Sequence, residues 1–119
     1  MKKVTTYTAN IYIGLKEGYT GRLHTIDEVY CICQEFVDQI GFCVTVTPTR
    51  FVYKNGMEPG AVVGTINYPR YPSQPQDLEA KAMILANKLM VEFKQHRVSV
   101  VFPDKTIMLE NFTLDDFKE

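Results

Sequence analysis

Asn67, Tyr68, Arg70 and Tyr71 sit in the stretch GTINYPRYPSQP, residues 64 to 75, which begins as an alternating strand and ends as a proline-rich turn. These types suit an anionic, ring-bearing ligand. An amide reads a base edge or a ribose hydroxyl, a guanidinium grips an anion with a fork, and an aromatic face stacks on a base. Pro69, Pro72 and Pro75 stiffen the crossing, so Arg70 and Tyr71 have little entropy left to lose on binding. The helix expected after Ser73 points its positive end at the same rim. Two other clusters mix aromatics with cations: Lys16, Tyr19 and Arg22 in a first loop, and Arg50, Phe51, Tyr53 and Lys54 along a hairpin. The expected ligand site is therefore Asn67, Arg70 and Tyr71, joined by Arg50 or Tyr53 from a neighbouring subunit. The bland alternative leaves each residue as ordinary surface, with Arg70 paired to a carboxylate.

Catalytic sets are hard to find. His24 precedes a helix cap and His96 lies between a helix and a strand; neither has a second His at metal-ligand spacing or a Cys beside it. Cys31 and Cys33 lie about 200° apart around a helix and cannot chelate one metal together. Cys43 has no evident base. Glu17, Asp27, Glu28, Glu35 and Asp38 read as surface carboxylates that cap and solubilise. No phosphate-binding glycine loop occurs. The expectation is a non-enzymatic binding protein with no catalytic residue, no metal and no cofactor.

With 119 residues, 45% of them hydrophobic, the chain is long enough for one domain with a proper core. Its 13 basic and 14 acidic side chains leave a net charge of −1, which argues against DNA or RNA binding through the phosphate backbone. No apolar run approaches the roughly 20 residues that span a bilayer, and Thr5 and Thr6 interrupt any signal-peptide pattern. Three cysteines, an odd number, point to free thiols in a reducing cytoplasm. No linker or repeat breaks the chain, so residues 1–119 are expected to form a single α+β domain.

The elements follow from periodicity. Tyr7, Ala9, Ile11, Ile13 and Leu15 alternate with polar residues, a half-buried strand. Thr25 and Glu28 form a capping box for a helix with Ile26, Val29, Tyr30, Cys33, Phe36, Val37 and Ile40 on its stripe, stopped by Gly41. Phe42 to Tyr53 reads as a strand bent at Pro48, and Ala61 to Asn67 as its hairpin partner across a loop over 54–60. Ser73 and Gln76 read as a second capping box, opening a helix whose stripe runs Leu78, Ala82, Leu85, Ala86, Leu89, Met90, Phe93. Arg97 to Phe102 and Thr106 to Leu109 close the pattern as strands, and the acidic tail either makes a last helical turn or frays. The order β-α-β-β-α-β plus a C-terminal β extension predicts a ferredoxin-like sandwich, two helices on one face of an antiparallel sheet.

The opposite face is expected to carry Thr8, Asn10 and Tyr12, Thr45 and Thr47, Val63, Thr65 and Asn67, and Arg97, Ser99 and Val101. Such a face, rich in hydroxyls and amides and poor in charge, either is simply wetted or is buried in a homo-oligomer, a dimer or higher. The second reading fits better.

The blocks TANIYIGLKEGYTGRLHTIDEV, GFCVTVTPTRFVY, VVGTINYPRYP and VSVVFPDKTIMLE resemble a small phage-encoded family, the type-1 Thoeris anti-defence sponges. The resemblance extends over nearly the whole chain, but its motifs are not diagnostic one by one, and no ligand-contact residue carries over. It implies an α+β oligomer that sequesters cyclic ADP-ribose isomers or cyclic oligonucleotides without cleaving them, in the cytoplasm of a host bacterium. A ferredoxin-like oligomer that binds a protein partner and no small molecule is the alternative, and a small enzyme of isomerase or monooxygenase-like type, using a Tyr or His in a subunit cleft, is a further class left open.

Overall fold

The structure, a computed structural model, describes residues 1–115. Its elements in order are β1 (Thr8–Gly14), α1 (Ile26–Ile40), β2 (Thr45–Tyr53), β3 (Gly56–Ile66), α2 (Pro75–Glu92), β4 (Arg97–Val101), β5 (Thr106–Glu110) and the short α3 (Phe112–Asp115). The strands form one antiparallel sheet in the order β2-β3-β1-β4-β5, with α1 and α2 packed on it. This is the expected ferredoxin-like sandwich with its extra C-terminal strand. α3 starts the last helical turn, and the rest of the acidic tail lies outside the described residues.

Ala9, Ile11 and Ile13 of β1 meet Val29, Cys33 and Phe36 of α1 and the whole α2 stripe in one buried core. Thr25 caps α1 as expected: its hydroxyl accepts from the Glu28 N–H while the Glu28 carboxylate accepts from the Thr25 N–H. Gly41 ends α1 at φ 75°, a left-handed conformation that glycine adopts without a Cβ clash. The start of α2 differs from expectation. Gln74 is the N-cap and makes no side-chain cap bond, and Pro75 takes the first helical position, where its missing N–H costs nothing. Ser73 does not cap; its own N–H is bound elsewhere.

Three readings of the hairpin need correction. β2 runs unbroken through Pro48, because it is the outermost strand and an edge tolerates a residue with no N–H to give. β3 starts at Gly56, so the turn is only Lys54 and Asn55, with Asn55 at φ 64°. The faces of β3 are also reversed. Val63 pairs with Ile11 and Ala61 with Ile13, which puts Ala61, Val63, Thr65 and Asn67 on the helix side. Val62, Gly64 and Ile66 share the helix-free face with Thr8, Asn10, Tyr12, Thr45 and Thr47. The run Ala-Val-Val-Gly-Thr-Ile has apolar residues in both phases, so its own alternation is silent; pairing with β1 decides the register.

β1 covers β3 only as far as Gly60. Beyond it Arg50–Tyr53 and Gly56–Pro59 continue as a two-stranded overhang, which contributes to a long dimension of 53 Å against 28 and 26 Å across.

Candidate functional site

At the far end of β3 from this overhang, four segments converge: the end of α1, the start of β2, the turn after β3 and the first turn of α2. They enclose a cavity of about 350 Å³ lined by Gly41, Phe42, Cys43, Thr65, Ile66, Tyr68, Tyr71, Ser73 and Leu78. Its walls are mostly apolar and aromatic with a few polar groups, the usual make-up of a small-molecule site, and its volume is near the low end of the roughly 300–1,000 Å³ typical of them.

Local sequence explains the rim. Pro69 presets the second position of a turn closed by the Tyr71 N–H donating to the Tyr68 carbonyl at 3.0 Å. This turn presents Tyr71, 70% exposed, with the Arg70 guanidinium 5.4 Å from its ring centre. Arg70 is exposed and makes no ion pair with any described residue. Inside, burial first, and then a hydrogen bond with Cys43, raise the Tyr68 phenol above its usual range, so it is neutral at ordinary pH. The thiol and the phenol are polar marks in an otherwise aromatic wall.

Of the residues expected to bind ligand, Arg70 and Tyr71 stand together at this rim. Asn67 lies behind it, 7% exposed, with its amide engaged by backbone on both sides. Arg50 and Tyr53 are on the overhang, roughly 30 Å away at ~3.3 Å per residue along β3, so one chain does not bring the five together. Tyr53 there hydrogen-bonds Glu58, which raises its phenol. Phe42 and Cys43 read in the sequence as the start of a strand, with Cys43 lacking a base; they directly follow a helix cap, and nothing in their spacing announces a wall.

A second cluster went unnoticed. At the opposite end of the helices His24, whose side chain is 8% exposed, bridges two carboxylates: Nε2 to Glu17 at 2.7 Å and Nδ1 to Glu28 at 2.5 Å. Both ring nitrogens face carboxylate oxygens. Glu17 is only 4% exposed, against the expectation of a surface carboxylate, because the loop 15–24 folds back on itself through the Leu15, Glu17, Arg22 and His24 backbone. The bond from the Thr20 hydroxyl is the main cause that holds the Glu17 carboxyl below its usual range, with His24 next. For Glu28 the His24 bond is the first cause. One sequence signal was available: His24 sits beside a capping box, four residues before the carboxylate that completes it.

No group of three or more His, Cys, Asp or Glu among the described residues is placed to hold a metal, and no helix among them is long and apolar enough to cross a membrane.

No family model and no curated protein matches this chain in sequence. Two solved structures match its fold. One is a phage SAM lyase in complex with S-methyl-5'-thioadenosine: TM-score 0.78, 19% identity, over 93% of this chain and 95% of that one. The other is a phage SAM lyase in the apo state: TM-score 0.76, 20% identity, over 88% and 89%. At this identity the likeness establishes a shared fold. It corrects the functional expectation nonetheless. The architecture is that of a protein described as an enzyme, which overturns both the non-enzymatic sponge and the ligand-free interaction module. The sponge resemblance holds only coarsely, in that both matching structures are of phage proteins.

Proposed function

We propose that this chain is a phage-type lyase acting on S-adenosylmethionine or a close sulfonium analogue, with the cavity behind Tyr71 as the nucleoside subsite. The observation that carries the reading is the near full-length fold match to a lyase crystallised with S-methyl-5'-thioadenosine, in a chain with an aromatic cavity of nucleoside size.

The chemistry fits a chain with no obvious catalytic set. The sulfonium is its own leaving group. When the Cγ–S bond breaks, the electron pair goes to sulfur and the neutral thioether S-methyl-5'-thioadenosine departs. The pair that replaces it at Cγ comes from the substrate's own carboxylate oxygen, closing a five-membered lactone. Charges balance: one positive and one negative charge vanish, and no proton moves. Such a charge-neutralising step is favoured when water is excluded, so the protein's tasks are desolvation and orientation. Tyr68, Tyr71 and Phe42 supply faces for the purine and for the sulfonium. Arg70 at the mouth takes one carboxylate oxygen and leaves the other to turn on Cγ. Because the carboxylate loses charge in the transition state, this contact belongs chiefly to substrate binding.

A second copy of the chain completes the reading. The overhang exposes Val52, Tyr53 and Met57, and the helix-free face exposes Tyr12, Ile66 and Met108, apolar surface suited to association. A neighbour's overhang would bring Arg50, Tyr53 and Glu58 to the rim, the last as a counter-charge for the sulfonium.

Incubation of the pure protein with S-adenosylmethionine, followed by mass spectrometry, tests the reaction. The expected products are S-methyl-5'-thioadenosine with homoserine lactone or its hydrolysis product homoserine. Substrate recovered intact from folded protein would overturn it.

A further inference from the structure

The two walls of the cavity are loops, and no strand ladder holds either of them. Residues 41–43 precede β2 and residues 68–73 follow β3. Both are fastened instead by side chains from the end of β3. The Thr65 hydroxyl donates to the Cys43 carbonyl at 2.8 Å, on one wall. Asn67 is next but one along the strand, on the same helix-facing side. Its Oδ1 accepts from the Ser73 N–H at 2.8 Å, on the other wall, and its Nδ2 donates to the Thr5 carbonyl at 2.9 Å. Its backbone N–H donates to the Tyr7 carbonyl.

These positions continue the row Ala61 and Val63, where packing alone calls for an aliphatic residue. They carry a hydroxyl and an amide instead, 6% and 7% exposed. Buried polar groups cost stability unless bonded, and here the bonds go to the two walls. Every hydrogen bond that Asn67's amide makes goes to backbone, so its influence reaches the rim through the 68–73 turn it closes.

We propose that Thr65 and Asn67 are paired positioning residues that set the separation of the cavity walls, and with it the fit of the cavity to a flat nucleoside thioether. The ligand class rests on the functional reading above; the wall-setting role rests on the geometry alone. Residues 65–67 thereby form a common base for the wall of Phe42 and Cys43 and the wall of Tyr68 and Tyr71.

Isosteric and conservative variants separate positioning from packing. Thr65→Val keeps the volume and removes the hydroxyl; Thr65→Ser keeps the hydroxyl and removes a methyl. Asn67→Ala removes both amide bonds, and Asn67→Asp keeps the acceptor for Ser73 if the alanine variant fails to fold. Calorimetric titration with S-methyl-5'-thioadenosine, well below each variant's Tm, is expected to give Kd values about tenfold weaker for Thr65→Val and Asn67→Ala, and less than about threefold weaker for Thr65→Ser. Binding by Thr65→Val as tight as wild type, or by Thr65→Ser as weak as Thr65→Val, would overturn the proposal. A wild-type protein that binds no S-methyl-5'-thioadenosine removes the functional reading instead. The positioning role is then decided by two ligand-free readouts: hydrogen exchange at the Ser73 amide in Asn67→Ala, and the alkylation rate of Cys43 in Thr65→Val. Both are expected to rise severalfold, and unchanged rates would overturn it.

Discussion

The two ends of the helical layer place polar groups in opposite ways. At the end bearing Glu17, His24 and Glu28, the polar groups bond one another: the imidazole has a carboxylate on each nitrogen, buried Glu17 on one side and half-exposed Glu28 on the other, and Glu17 also takes the Thr20 hydroxyl. At the other end the Arg70 guanidinium touches only the face of Tyr71, and aromatic walls surround an open cavity. A satisfied network holds a loop, although Glu17, His24 and Glu28 also border a cavity of about 450 Å³. Perturbed titration alone does not tell a structural ion cluster from a functional one.

The sharpest way to break this contrast is His24→Ala. It leaves the buried Glu17 carboxylate without its imidazole hydrogen bond, so Tm is expected to fall by roughly 10 °C in a thermal melt, while affinity for S-methyl-5'-thioadenosine stays at wild type. Loss of affinity in a folded His24→Ala protein would mean that the two ends are coupled. Arg70→Ala should do the reverse. Removing a charge-assisted contact, about 1.5–3 kcal/mol, should raise KM for the sulfonium substrate roughly tenfold or more with a smaller change in kcat and an unchanged Tm, read by initial rates and a melt.

Acid should act on the first end, and also on Glu79 near the start of α2, whose carboxyl is held low chiefly by the Lys105 bond and then by Tyr7. The Glu17 and Glu28 carboxyls titrate lower in the folded than in the unfolded chain, chiefly through the Thr20 and His24 hydrogen bonds respectively. Their contribution is thus complete above the unfolded value, about 4.3, and disappears as pH falls through the lowered folded values. Melts from pH 6 down to about pH 3 should show Tm dropping below roughly pH 4.5, with a shallower drop in Glu28→Gln. The smallest effect is expected on the overhang. Tyr53→Phe removes only an exposed phenol's bond to Glu58 and should move Tm by less than about 2 °C.

Much of the fold was legible because it is written in local periodicity. The stripe from Leu78 to Phe93, the Thr25–Glu28 box, Gly41 and the alternation of β1 each express a preference that a short segment holds by itself, and tertiary packing agreed with it. Arg70 and Tyr71 were legible as a stiffened, outward-facing pair for the same reason. The face of β3 was not, since Val62 and Val63 suit either side and only the ladder to β1 selects one. That choice turned Asn67 from an exposed amide into a buried strut. It also gave Thr65 the same inward direction. Phe42 and Cys43 became a wall only when the end of α1 met the end of β3, and Glu17 became buried only when its loop closed over His24. Residue type and spacing determine which elements form and which side chains have chemistry to offer. Register and loop closure, which depend on contacts between segments distant in the chain, decided which of those side chains were consumed in holding the fold and which were left exposed at a cavity rim.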